Sequence, residues 1–362
     1  MDLEEAVHEN DSYFCIMRIL TLPDPKASHD ISGDIPEQEN SFNSIRKLVR
    51  EDMCTTDALI EEQLHSDVVL VNQISGYIVH SGGKRLRPLL VLLSTRLFGN
   101  NKGNDHIMLA AIIEFIHTAT LLHDDVVDAS DLRRGQETAN TVWGNDASVL
   151  VGDFLYSRAF QMMVEVGNMR IMEILADTTN VIAEGEVMQI LNCHEPGTTE
   201  KQYLNVIRAK TAKLFEAATQ IGAVLHQRPK EEEQAMADFG LHLGTAYQLI
   251  DDVLDYRGAI GKIGKNIGDD LAEGKPTLPL IHAMRVGAES QATIIRDAVR
   301  EGQRDQIQRI IQTVESTGAI AYTAAAARAE ADLALQALGI ISPSQYRDAL
   351  EGLVEFSVNR TY

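Results

Sequence analysis

Glu114 to Gly135 reads EFIHTATLLHDDVVDASDLRRG, an apolar run that ends in three aspartates and is followed at once by two arginines. At 3.6 residues per turn Asp124 and Asp128 share one helix face, with Thr120 and His117 on the same side one and two turns earlier. Carboxylates crowded at a helix C-terminus repel one another and the negative end of the helix dipole. Cations relieve that repulsion. Hard oxygen ligands in such small number suit Mg²⁺, which keeps its waters and binds substrate phosphate as well. A solvated acidic helix end is the blander reading of one such cluster. That reading weakens because the pattern recurs: GTAYQLIDDVLDY, from Gly244, carries Asp251, Asp252 and Asp255 at the same spacing, with Gln248 one turn before them. Two D-D-x-x-D clusters, each ending an apolar helix, are suited to face each other across a cavity and hold a diphosphate through bridging metal.

The whole chain sets bounds on this reading. Its 362 residues suffice for one large domain or two ordinary ones, and 44% hydrophobic residues is normal for a globular core. A formal charge of −21 argues against nucleic acid as a partner, since phosphate backbones need a basic surface. Cys15, Cys54 and Cys193 are odd in number and lack C-x-x-C spacing, which suggests reduced thiols in a cytoplasmic setting. No uninterrupted apolar run reaches the roughly 20 residues of a membrane helix. The first residues are acidic from Asp2 to Glu9, unlike a presequence.

Residues 1–42 are expected to form a disordered extension, broken by Pro23, Pro25, Gly33 and Pro36, and residues 43–362 the catalytic domain. Helical periodicity begins at Asn43 and leads to SGGKRLRPLLVLLSTRLFG, Ser81 to Gly99. There Gly82 and Gly83 let backbone approach a ligand, and Lys84, Arg85 and Arg87 precede a helix that Pro88 can start. Glycines and fixed cations before a helix N-terminus suit an anion, although the spacing is not that of a P-loop and a basic helix cap would read the same. In the helix expected over Met169 to Asn192, Glu184, Glu186 and Gln189 interrupt the apolar pattern, either orienting a ligand or marking an exposed edge. Lys210 and Thr211 sit in an alanine-rich helix from Tyr203 to Leu225, where a lysine is ordinarily a snorkelling surface residue. Arg257 to Pro276, RGAIGKIGKNIGDDLAEGKP, is a glycine-rich loop beside a charged site and a candidate lid. Trp143 reads as core. Period-2 alternation is scarce and no Asn-Gly hairpin occurs. The fold expected is all-α: one domain, an antiparallel bundle of about ten or more helices with a central cavity.

Taken together, GGKRLRP at 82–88, HDDVVD at 123–128, RRG at 133–135, KTA at 210–212, YQLIDDVLD at 247–255 and GKNIGDDLAEGKPT at 264–277 resemble the all-trans isoprenyl diphosphate synthases, in particular their long-chain branch. The resemblance covers roughly Asn43 to Arg360 and departs from the family at the N-terminal extension and at Tyr247, where phenylalanine is common. It implies the isoprenoid synthase fold and sequential 1′–4 condensation of isopentenyl diphosphate onto an allylic diphosphate such as farnesyl diphosphate. It also implies three Mg²⁺ on Asp124, Asp128 and Asp251, with Asp125, Asp252 and Asp255 in support. Arg133, Lys210, Lys265 and Lys275 would hold the allylic diphosphate, with Lys262 an alternative to Lys265. Lys84, Arg87, His117 and Arg134, with Arg85 nearby, would hold isopentenyl diphosphate. Thr211 and Gln248 would polarise a dry pocket around the allylic cation. A homodimer is implied too, as is a lipid-like product that membrane enzymes take up, for instance as a quinone side chain.

The growing chain would run from Asp124 toward the helix N-terminus, past Thr120, Ala119 and Ile116. In short-product relatives this position is aromatic; here it is small, which points to a deep tunnel and a C40 product, with Phe160 and Met163 as candidate floor. Other product lengths within the family remain alternatives. A class I terpene cyclase usually lacks the second acid cluster and has no need of GGKR. An HD-type phosphohydrolase needs more histidines on one face than His117 and His123 provide. A non-catalytic partner subunit would have lost acid clusters that are intact here.

Overall fold

The computed structural model describes residues 37–99, 103–257 and 268–360, with side chains from residue 41. Ser41–Tyr362 forms one compact unit. The expected extension lies almost wholly outside the described residues, as do Lys262 and Lys265.

The described residues are helical, as expected. Their helices are α1 (Glu37–Lys47), α2 (Arg50–Gln63), α3 (Val69–His80), α4 (Leu86–Leu97), α5 (Asp105–Val127), α6 (Ala139–Trp143), α7 (Asn145–Val166), α8 (Met169–Asn192) and α9 (Glu200–Ile207). A π-helical turn, Arg208–Ala212, joins α9 to α10 (Lys213–Leu225). There follow α11 (Lys230–Arg257), α12 (Asp269–Ala272), α13 (Leu278–Val286), α14 (Glu289–Glu301), α15 (Ile307–Ser316), α16 (Ala319–Ala337) and α17 (Gln345–Asn359).

Local chemistry accounts for the ends. Thr199 and Gln202 form a reciprocal capping box that starts α9, and the Asn168 side chain accepts from the Arg170 and Ile171 amides to start α8. Alanine, the strongest helix former, fills α16. The core is built around α5, whose residues from Leu109 to Ile113 are fully buried, together with Leu89 to Leu93 of α4 and Ala217, Ala218 and Ile221 of α10. By length and composition α5 would suit a membrane, but most of its apolar window is buried within the protein, the place of a core helix. Each fully buried side chain such as Phe115 contributes roughly 1.5–3 kcal/mol over an exposed one.

Three local features depart from the sequence reading. Leu132–Arg133 pairs antiparallel with Gln136–Glu137 across Arg134 and Gly135, both at positive φ (54° and 76°), as a two-residue hairpin requires. The helix expected from Tyr203 to Leu225 is interrupted by the π turn, and Gly185 of α8 allows the approach: a Cβ there would stand 2.7 Å from the Lys210 amide nitrogen. Cys54 is disulfide-bonded, so the expectation of reduced thiols holds for Cys193 alone among the described residues.

Candidate active site

The ends of α5 and α11 put the two acid clusters on one cavity of about 760 Å³. Asp124 and Asp128 line it from α5, Asp251 and Asp255 from α11, and Asp270 from α12. Helix periodicity decides which acids reach it. Asp125, one residue round from Asp124, is fully buried and off the cavity wall, held through Oδ1 by Arg133 Nε and Nη2 at 2.9 and 2.7 Å. In this structure it anchors Arg133. Its Oδ2 has no hydrogen-bond partner, and burial raises its pKa above the usual carboxylate value. Asp252 also borders the cavity but is 1% exposed, and both of its oxygens accept hydrogen bonds from protein donors.

Cations are threaded between the acids. Lys210, aimed by the π turn, lies 2.6 Å from Glu186 and 3.5 Å from Asp124. Lys275 lies 2.8 Å from Asp128 and 2.6 Å from Glu273, and these neighbours raise its pKa despite burial. Glu186 and Gln189, ambiguous in sequence, line the cavity, whereas Glu184 is exposed and accepts from Asn180. Burial, and then the charge of Asp124, pushes the Glu186 carboxyl up to about 7, opposed by Lys210; its Oε1 has no hydrogen-bond partner.

Among the described residues no three acids, histidines or cysteines are gathered into a ready-made metal site. The donor set nonetheless fits a hard divalent cation. Asp124, Asp128, Asp251 and Asp255 face one cavity, and Glu186, which also lines it, keeps a buried oxygen without a partner. Such clusters favour added positive charge.

The cavity also has a basic lining. Gly83, Lys84, Arg87, His117 and Arg134 line the same cavity. Burial and the surrounding arginines hold His117 well below the ordinary histidine pKa, so its ring is neutral. Its Nε2, 3.1 Å from Arg87 Nη1, is then the acceptor, which leaves the proton on Nδ1. Gly83 has φ 140°, and a Cβ there would come within 2.7 Å of Arg134 Nη1; only glycine lets that guanidinium lie on the loop. Arg85 turns away. It takes a left-handed backbone (φ 50°), pairs with buried Glu114, lies 3.6 Å from Asp57 and donates to the Val79 carbonyl. It braces the loop, and Glu114 and His117, one turn apart on α5, hold Arg85 and Arg87 respectively.

Thr211 and Gln248 are joined at 3.1 Å on the cavity wall. Thr120 also lines it, its hydroxyl donating to the His117 carbonyl, but Ile116 and Ala119 are sealed in the core. Met163 is buried and Phe160 is 39% exposed, and neither is among the residues that line the cavity.

Two cavity residues escaped the sequence reading. Arg360 pairs with Asp251 at 2.8 Å and stacks 3.6 Å over the Tyr247 ring. Tyr203 donates to Asp252. No local pattern marks either one; each is defined only by a partner far along the chain.

A polyprenyl synthetase family model matches residues 68–315. The chain is 50% identical over 321 residues to octaprenyl diphosphate synthase of Escherichia coli, covering 88% of this chain and 99% of that protein. It is 46% identical over 312 residues to all-trans-nonaprenyl-diphosphate synthase (geranyl-diphosphate specific) of Rhodobacter capsulatus, 86% and 96% of the two chains. A crystal structure of a polyprenyl synthase from Caulobacter crescentus, complexed with calcium and isoprenyl diphosphate, superposes with a TM-score of 0.85 at 43% identity, covering 89% and 98% of the two chains.

Proposed function

Because this chain belongs to the polyprenyl synthetase family, we propose that it condenses isopentenyl diphosphate repeatedly, 1′ to 4, onto farnesyl diphosphate and releases all-trans octaprenyl diphosphate (C40). It is a prenyltransferase that makes long-chain all-trans polyprenyl diphosphates. The observation that carries the reading is the single cavity lined both by the acid clusters and by Lys84, Arg87, His117 and Arg134, a place for two diphosphates.

Asp124, Asp128 and Asp251, with Asp255 in support, would hold three Mg²⁺, which supply positive charge to the departing diphosphate. Arg133, Lys210 and Lys275 add fixed cations, with Lys265 assigned there by family resemblance. Ionisation of the allylic C–O bond leaves a carbocation beside Thr211 and Gln248, whose oxygens favour positive charge. The homoallylic double bond of isopentenyl diphosphate attacks it. The proton then lost is assigned to the departed diphosphate, which also leaves with the electron pair of the broken bond.

The reaction is assigned to the cytoplasm, since isopentenyl diphosphate is a water-borne polyanion, and the product to membrane enzymes that build quinone side chains. Leu150 and Val164 of α7 and Val187 and Leu191 of α8 are exposed apolar side chains that fit burial against a second copy, and hence a homodimer. Residues 1–42 are proposed as an extension to the catalytic domain of 43–362.

The test supplies farnesyl diphosphate, isopentenyl diphosphate and Mg²⁺ and resolves the products by chain length; a linear C40 diphosphate is expected. A C45 product is the second reading, favoured by the similarity to the nonaprenyl enzyme. No elongation at all, or a cyclised hydrocarbon, refutes the assignment.

The two walls make separable predictions. Arg87→Ala and His117→Ala should raise KM for isopentenyl diphosphate about ten-fold or more with a smaller effect on kcat, since both lose ground-state binding. Lys210→Ala should mainly lower kcat, because the charge it faces grows during ionisation. Steady-state kinetics with each substrate varied in turn checks this; equal effects of all three variants on both substrates would refute the division.

A further inference from the structure

Asp252 belongs by sequence to the second acid cluster and borders the cavity, but both of its oxygens are already engaged by protein donors. Its Oδ1 accepts from Gln248 Nε2 at 3.0 Å, and its Oδ2 accepts a short hydrogen bond from the hydroxyl of Tyr203. Tyr203 is 6% exposed and Asp252 1%. A buried phenol needs a partner for its O–H, and a buried carboxylate needs donors on both oxygens; each meets the other's need here.

The consequence falls on Gln248. Its amide has a donating and an accepting end of nearly the same size, and only the surroundings decide which end points where. Asp252, one turn along α11, takes the Nε2 end. The Oε1 end therefore meets Thr211 Oγ1 at 3.1 Å at the cavity wall. The bonded series runs from Tyr203 in α9 to Asp252 and Gln248 in α11 and back to Thr211 in the π turn that follows α9, tying these elements together.

We infer that Tyr203 and Asp252 are positioning residues that fix the Gln248 amide with its carbonyl oxygen toward Thr211 and the cavity. The inference rests on the proposed condensation. A reversed amide would present N–H groups, the positive end of its dipole, to a carbon that becomes a cation, so the orientation matters to the transition state more than to substrate binding.

Tyr203→Phe, Asp252→Asn and Asp252→Ala are compared with wild type. The readouts are kcat, both KM values, and the number of Mn²⁺ ions bound per chain with a non-ionisable allylic diphosphate analogue, counted by electron paramagnetic resonance. Tyr203→Phe should lower kcat about ten-fold with both KM values within about two-fold and an unchanged metal count. Asp252→Asn, which still accepts from Gln248 and can donate to the Tyr203 oxygen, should keep more turnover than Asp252→Ala and bind the same number of ions. A metal count that falls in Asp252→Asn, a wild-type kcat in Tyr203→Phe, or equal losses in Asn and Ala would each overturn the inference. Wild-type protein that forms no polyprenyl diphosphate would instead overturn the condensation reading itself, and this inference with it.

Discussion

Replacing Asp124 or Asp251 by alanine should lower turnover by about three orders of magnitude, a loss of about 4 kcal/mol of transition-state stabilisation. Both carboxylates face the shared cavity from opposite helices, so either loss removes one side of whatever bridges them. The folded chain should tolerate the change. Lys210 keeps its 2.6 Å contact with Glu186 when Asp124 is gone. Arg360, without Asp251, keeps its place over the Tyr247 ring and its bond to the Tyr247 carbonyl. Helix content by circular dichroism should therefore stay near wild type while kcat at saturating Mg²⁺ collapses. Asp125→Asn is the informative contrast: its carboxylate holds Arg133 and does not line the cavity, so its loss should act through Arg133 and be milder. Near-normal turnover in either alanine variant would end the shared-diphosphate model.

That contrast marks where sequence reading stops. The faces of α5 and α11 were legible because a helix repeats every 3.6 residues, and a local rule suffices to put Asp124 with Asp128 and Asp251 with Asp255. The same rule says nothing about what an off-face acid touches. Asp125 and Asp252 are set by Arg133 and Tyr203, partners brought close by a hairpin and by α9. Arg85 looks like its neighbours Lys84 and Arg87 in sequence, yet a left-handed backbone turns it toward Glu114, 29 residues on. The run RAKTA gives no warning of a π turn at 208–212, and in the two-residue hairpin at 134–135 Gly135 is a favoured turn residue but Arg134 is not. Arg360 enters the site from beyond α17, where no motif stands.

Product length gives the second large effect. On α5 the cavity is lined by His117, Thr120, Leu121 and Asp124, while Ile116 and Ala119 beyond them are fully buried. A lengthening tail that follows α5 toward its N-terminus must pass this point, and from Asp124 back to Leu109 the helix offers roughly 22 Å of wall at about 1.5 Å per residue. Small side chains at Ala119 and Thr120 let it through by modest shifts of their neighbours. A tyrosine at 119 would fill the space the tail needs. Because residue 119 is about 7.5 Å along the axis from Asp124, the ring should leave the acid cluster and its diphosphate undisturbed. Ala119→Tyr, given geranyl diphosphate as primer, is therefore expected to condense actively and stop at C15 to C20. The added bulk in a sealed site should cost about 1–3 kcal/mol, seen as a lowered Tm. Met163→Ala should leave the product equal or longer, with a larger loss of stability of about 2–5 kcal/mol from the space created. Product chromatography and thermal melts on the same preparations separate blocking from misfolding. A wild-type product already at C15 or C20, or an active Ala119→Tyr enzyme with an unchanged product distribution, would place the tail along some other wall than α5.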